Sequence, residues 1–396
     1  MKPISLFFLI ILLLPRISFA QIIGLGFLEG GGQDSIAKGI SKDGSTVVGK
    51  SDSSNGLLEA FSWTLESGMV GLGDLPGGDP GNEFKSMATG VSGDGSIVAG
   101  LGDSTNSSTP SSYAEAFCWT KEKGMVGLGD LGGDTFGSFV EGISADGSTL
   151  VGAASRPSSS YEYDAFRWTA DSGMIGLGNL PGRQGQSRAT ATSDTGDTIV
   201  GHSQNTDDGS WEAFIWKQDS AMIGLGFLEA GGFSSEANAV SGDGKVVVGR
   251  SNIANRSIAF KWTEETGMLG LMDSESGLFT NSIAQGVSDN GMTIIGDGYD
   301  SNGRLAFLWQ EEVGMVSLFD SLTTLGHDMS HWESLTSASG ISSDGTTISG
   351  WGINHQGNQE AFVASITSVP EPNTPLLFGV GLAWIAAKRR RRAAQK

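Results

Sequence analysis

The residues of this chain best suited to chemistry are few and scattered. His327-Asp328-Met329-Ser330-His331 sets two histidines four apart, as a zinc-binding helix does. Asp stands where that motif has its Glu, and no third ligand is evident, so a loop with Trp332 packing beneath the last repeat is expected instead. Asp74, Asp79, Asn82 and Glu83, together with Asp130 and Asp134, offer oxygens of the kind Ca²⁺ takes. Their spacing matches no Ca²⁺ loop, and solvated turns explain them. Cys118 is the one cysteine, so no intramolecular disulfide can form; only Lys121 and Lys123 are near enough in sequence to favour a thiolate, and a packed small residue is expected. Gly71-Leu72-Gly73 and its copies have no helix following them and cannot be a phosphate loop. No Ser-His-Asp set or paired carboxylates stand out, and four histidines are too few for repeated acid–base machinery. Catalytic, cofactor-binding and metal-binding residues are therefore expected to be absent, with Ca²⁺ the one ion the acidic loops leave open.

Any such residue has to be positioned by a repeat. Ala-Phe-x-Trp stands at Ala60–Trp63, Ala116–Trp119, Ala165–Trp168, Ala213–Trp216, Ala259–Trp262 and Ala306–Trp309, with a degenerate copy at Ala361–Ala364. The phenylalanines recur every 46 to 56 residues, the period of a repeat architecture. Each unit has four short parts, seen first as Ile36–Ser41, Thr46–Gly49, Ala60–Thr64 and Met69–Gly73. They are β-branched or aromatic and bounded by Gly, Asp or Ser, which is the pattern of strands. Asp43-Gly44 and its copies mark a tight turn between the first two. Phe and Trp two residues apart share a face of the third. No internal run supports a sizeable helix.

Four strands per unit predict an all-β fold, a seven-bladed β-propeller of four-stranded blades over residues 21–368. First strands end at Ser41, Ser92, Ser144, Ser193, Ser241, Ser288 and Ser342, but fourth strands begin at only six methionines, from Met69 to Met315. The seventh lies at the other end. Ile23–Glu29 repeats Ile223–Glu229 identically. The N-terminal strand should pair with the last blade and close the ring, an arrangement a linear solenoid does not require.

The two ends read as addresses. Residues 1–20 carry Lys2, an apolar core from Leu6 to Leu14, and Ser18-Phe19-Ala20, which predicts a secretory signal cleaved after Ala20. Residues 369–396 carry Val369-Pro370-Glu371-Pro372, an apolar stretch from Pro375 to Ala387, and Lys388 with Arg389, Arg390, Arg391 and Arg392. Thirteen helical residues rise about 20 Å, short of a ~30 Å hydrocarbon core, although Lys388 could snorkel. The tail resembles the PEP-CTERM sorting signal. That resemblance implies a transient inner-membrane anchor processed by an exosortase, in a Gram-negative-type envelope often bearing exopolysaccharide. The repeats, through Gly39–Gly49, Gly142–Gly152 and the Ala-Phe-x-Trp that follows, resemble bacterial extracellular HAF repeats. Where that family has a His before Ala-Phe, this chain has Glu59, Glu115, Asp164, Glu212, Ile258, Leu305 and Glu360, so no role of that His carries over. The Ser-x-Asp-Gly turns resemble the Asp-box of some propeller hydrolases without its further Gly and Trp spacing, and a hairpin role accounts for them.

Composition narrows the partners. Of 24 basic residues, two lie in residues 1–20 and six beyond Pro372, leaving 16 against 44 acidic residues and a net charge of −28 between the ends. That charge repels phosphate backbones and excludes nucleic acid as a natural partner. The second-to-third and fourth-to-first connections vary in length, and alternating strand direction places both on one rim, which is the expected recognition face. A non-enzymatic surface or matrix scaffold that binds exopolysaccharide or envelope proteins is the leading expectation. A polysaccharide hydrolase or lyase, or a calcium-dependent adhesin, is the alternative.

Overall fold

The computed structural model describes residues 21–367, apart from 55–56, 77–85, 105–113, 133–135, 157–161, 183–184, 219, 230–231, 272–278 and 302. Its strands form seven four-stranded antiparallel sheets. The first blade is Ser35–Ile40, Thr46–Asp52, Leu58–Thr64 and Gly68–Gly71, in that order from the inside. The seventh takes Trp332–Ile341, Thr347–Asn354 and Gln359–Ser365, and its outer strand is Ile23–Gly24. Ile23 lies opposite Val363 and Gly24 opposite Phe362, and the Leu25 N–H donates to the Ala361 carbonyl at 2.8 Å. The ring closes as the repeat count predicts.

The Ala-Phe-x-Trp residues build the blade interfaces. All seven phenylalanines, from Phe61 to Phe362, are fully buried. Phe61 and Trp63 share a cluster with Ala361 and Val363 of the preceding blade, and Phe117 with Ala60 and Leu72 of the first. Each ring can remove roughly 150–250 Å² from water, which makes these seams the main source of stability. A hydroxyl clasp runs along them. Ser86 Oγ accepts from the Ala60 N–H at 3.0 Å and donates to the Gly73 carbonyl at 2.6 Å. Ser138, Ser187 and Ser235 do the same at the next three seams. Ser35 does so at the closing seam, with Ala361 and Gly26, so the N-terminal strand occupies the place of an ordinary fourth strand.

The Asp-Gly turns need no further role. Ser41 Oγ donates to Asp43 Oδ1 at 2.6 Å, Asp43 Oδ1 accepts from the Ser45 N–H at 2.9 Å, and the Thr46 N–H donates to Ser41 Oγ at 2.9 Å. The same network recurs around Asp94, Asp146, Asp243 and Asp344. The Ser96 N–H, with the Ser96 and Ser92 hydroxyls, holds the Asp94 carboxyl down at about 2.

The residue before Ala-Phe also has a structural role. Glu59 Oε1 accepts from the Gly73 N–H at 3.0 Å, Glu115 from Gly129 at 3.1 Å, Glu212 from Gly226 at 3.1 Å and Glu360 from Gly26 at 3.2 Å. Each carboxylate lies where a Cβ on Gly71, Gly127, Gly224 or Gly24 would stand, so a side chain there would displace it. In the fifth and sixth repeats Ile258 and Leu305 replace the glutamate, and Met272 and Phe319 replace the second glycine.

One element departs from the sequence reading. Leu318–Thr324, in the connection before the seventh blade, is a short α-helix rather than an extended loop. The Ser317 hydroxyl caps it by accepting from the Asp320 N–H, and Leu318 and Leu322, four residues apart, bury against Trp332 and Leu335.

Candidate functional site

Every innermost strand carries a β-bulge at one place, between Ala37 and Gly39 in the first blade and between Ala338 and Gly340 in the last. The bulge residues are Lys38, Thr89, Glu141, Thr190, Asn238, Gln285 and Ser339. Residues two apart on a strand share a face, so the side chain at this place and the one two residues before it both point to the axis of the ring. All but Phe139 and Ile283 line a cavity of about 760 Å³ together with residues of the turns that follow.

The turns lie at one end of this cavity and are bonded to one another. The Gly93 N–H donates to the Ala145 carbonyl, Asp194 to Gly242, Asp289 to Ser343 and Ser343 to Lys42, so neighbouring turns are linked around the axis. Lys42 reaches across it: its ammonium lies 2.7 Å from Asp194 of the fourth blade and also contacts Asp289 of the sixth. Burial, opposed by Lys42 and reinforced by Asp194, raises the Asp289 carboxyl above its ordinary value. The cavity is a well along the axis, running from these turns to the starts of the innermost strands.

Two arcs of different chemistry line the well. The residues two before the bulge pair across to the second strand, as Ile36 with Lys50, Met87 with Leu101, Phe139 with Ala153, Arg188 with His202, Glu236 with Arg250, and Ile283 with Asp297. The second and third blades thus give an apolar arc, and the fourth to sixth a charged one. Arg188 Nε donates to Glu141 Oε2 at 2.7 Å, and its guanidinium sits 4.6 Å from the Phe139 ring centre. Arg250 takes both oxygens of Glu236, at 3.1 and 2.6 Å. Asp297, fully buried, accepts from Gln285 at 2.9 Å and from Arg304 through one oxygen, while its Oδ1 has no partner. Arg304 lies 5.7 Å from the centre of the Trp351 ring.

A side alcove of about 450 Å³ opens beside Arg188, lined by Phe139, Tyr163, Gln186, His202, Trp211 and Glu236 among others. His202 meets Trp211 edge to face with ring centres 5.1 Å apart, and its Nδ1 is buried without a partner. Burial drives the His202 imidazole down to about 4, with Arg188 and Arg250 adding repulsion against the pull of Glu236. It is neutral at physiological pH.

The residues singled out from sequence fall elsewhere. His331 Nε2 lies 2.8 Å from Glu360 Oε2, whereas His327 is buried apart from that pair, its backbone N–H donating to the Leu322 carbonyl. Among the described residues no group of three or more His, Cys, Asp or Glu could hold a metal. Cys118 is half-buried, and burial pushes its thiol up. Asp79, Asn82, Glu83, Asp134, Ala20 and the sorting residues from Val369 to Arg392 lie outside the described residues. Among those described, no helix is long and apolar enough to cross a membrane. The residues of the well were missed. Their signal was present: inside strands that otherwise repeat, they are the positions where the seven copies disagree.

Comparison with known proteins bears on the fold and on the tail. Residues 368–392 match the PEP-CTERM protein-sorting motif. No curated protein matches the chain. The oligogalacturonate lyase of Vibrio parahaemolyticus is similar over 88% of this chain and 94% of its own, with a TM-score of 0.53 and 14% identity. The β-propeller domain of the Trilobed protease from Pyrococcus furiosus is similar over 83% of this chain and 93% of its own, with a TM-score of 0.51 and 11% identity. TolB from Acinetobacter baumannii gives a TM-score of 0.43 at 11% identity over 69% of this chain, which spans 62% of that protein. At such identities the likeness is one of fold. The chain is a seven-bladed β-propeller carrying a PEP-CTERM sorting motif, the mark of an exported, exosortase-sorted protein.

Proposed function

We propose that this is a surface or extracellular-matrix protein whose propeller is a non-enzymatic binding scaffold, with exopolysaccharide or another envelope protein as its partner. The observation that carries this reading is the pairing of a sorting motif at 368–392 with an axial well bridged by Lys42 among its turns. On this reading the chain is a HAF-repeat protein of a Gram-negative-type envelope. It is cut after Ala20 on export and is held in the inner membrane by residues 375–387 until an exosortase processes the tail near Pro370-Glu371-Pro372. Arg188, Arg250 and Arg304, each held by a carboxylate, supply fixed donors and acceptors of the kind that recognise hydroxyl-rich ligands.

The test is co-sedimentation of the purified protein with the producer's own exopolysaccharide, alongside a strain lacking the gene. Retention on the polysaccharide and a changed matrix or adhesion phenotype are expected. No retention together with an unchanged matrix overturns the reading. A second reading, a glycan hydrolase or lyase, is favoured by the neutral His202 between Arg188 and Glu236 in the alcove. Release of new chain ends from matrix glycans, abolished by Glu236→Gln, would replace the scaffold by an enzyme. Calorimetry with Ca²⁺ and then a chelator separates a calcium-dependent adhesin from both.

A further inference from the structure

We propose that Lys38 is the recognition point for the carboxylate of an acidic sugar, a uronate unit bound inside the axial well. The inference rests on the well being the binding site and adds the class of ligand and the residue that selects it.

Lys38 differs from its six equivalents. Four of the other bulge side chains reach the next blade and satisfy a carbonyl there, each at 2.8 Å: Thr89 to Val140, Thr190 to Ala237, Asn238 to Ala284 and Ser339 to Ala37. Glu141 pairs with Arg188, and Gln285 donates to Asp297. Lys38 alone of the seven has no hydrogen-bond or ion-pair partner among the described residues. Every other cation lining the well is matched: Arg188 by Glu141, Arg304 by Asp297, and Lys42 by Asp194 and Asp289.

Its surroundings sharpen the point. The side chain is exposed to the well and lined by neighbouring blades. Burial, with repulsion from Lys50 and Arg304, lowers its pKa against the smaller pull of Asp297 and Glu141. A bound anion would offset both terms. Outside the well the chain is strongly acidic, so an unmatched cation at its axis is a local exception that draws an anion inward.

One unmatched ammonium suits a single negative charge. The rest of the lining suits a sugar ring: Ile36 and Met87 of the first two blades, Trp351 of the seventh beside them, and paired carboxylates and guanidiniums for hydroxyls. A cavity of about 760 Å³ lies in the range of small-molecule sites and holds more than an isolated ion.

The test is titration calorimetry of the full-length protein with an oligouronide, its carboxyl-reduced neutral counterpart and inorganic phosphate. The oligouronide should bind, and the reduced form should bind more weakly by on the order of tenfold to a hundredfold, the worth of one charge-assisted hydrogen bond. Lys38→Met should lose the same factor, Lys38→Arg should retain most affinity, and Lys121→Met should change nothing, all with unaltered thermal unfolding. Equal affinity for the reduced sugar, full affinity of Lys38→Met, or equal displacement by phosphate would each overturn the proposal. Retention of Lys38→Met on the producer's polysaccharide would remove Lys38 and leave the scaffold. Failure of the wild type to bind any glycan would remove both.

Discussion

Alternate residues of the innermost strands follow opposite rules. Ser35, Ala37, Gly39 and Ser41 have near-identical counterparts in most blades, and they lie at the seams. Ile36, Lys38 and Lys42, interleaved with them, have counterparts as different as Arg188, Glu141 and Asp289, and they face the axis. The seam face is repeated because each blade meets its neighbour in the same way, so one packing solution serves seven times. The axial face is met only once by a ligand that sees all blades together, so nothing forces its residues to agree. In this ring, agreement among copies marks structure, and disagreement inside a strand marks the site.

The largest effect should come from setting one face against the other within one blade. Phe61 is fully buried between the first and seventh blades, and Phe61→Ala should lower unfolding free energy by about 3–5 kcal/mol. Lys38→Met, in the same blade, should be close to neutral, since the side chain is exposed to the well and holds no other group. Urea titration of both variants measures the difference. A destabilising Lys38→Met of similar size would erase the distinction between the faces.

The alcove tests the same contrast through pH. The folded protein protonates His202 at about 4, against 6.5 for the ordinary imidazole. Between these values the unfolded chain binds more protons, so stability is complete above about pH 6.5 and declines as pH falls toward 4. The loss is on the order of 3 kcal/mol. His202→Gln should flatten that part of the stability–pH curve measured by denaturant titration. A slope that survives the substitution would place its origin elsewhere.

The fold was legible because seams are built from local, repeated signals. Ala-Phe-x-Trp, Asp-Gly and the identical Ile23–Glu29 and Ile223–Glu229 sufficed for blade number and for closure at Val363 and Phe362. The Glu–Gly bonds were not read from the sequence, which showed only that Glu59, Glu115, Glu212 and Glu360 stand before Ala-Phe. Nor was the well. Its members come from blades hundreds of residues apart in sequence, and no spacing along the chain reveals that Lys42 will cross to Asp194. The helix at Leu318–Thr324 escaped because seven residues are too few for periodicity to register, and its stability comes from packing beneath Trp332.

Thr190 gives the smallest and finest test, because it lies on the axial face but behaves as part of a seam. Its hydroxyl proton is shared between the Ala237 carbonyl of the next blade at 2.8 Å and the Val200 carbonyl of its own at 3.2 Å. The bulge withdraws that Ala237 carbonyl from ordinary strand pairing, so the hydroxyl repairs a defect the bulge creates. Thr190→Val keeps the shape and removes the donor. It should cost about 1 kcal/mol by thermal or urea unfolding, the usual worth of a neutral hydrogen bond, and leave affinity for an oligouronide unchanged. Lys38→Met should do the reverse, sparing stability and losing affinity. If Thr190→Val weakens binding as much as Lys38→Met does, the bulge ring acts as one recognition surface. If it does not, the ring is divided residue by residue, with its inter-blade clasps on one side and its single unmatched cation on the other.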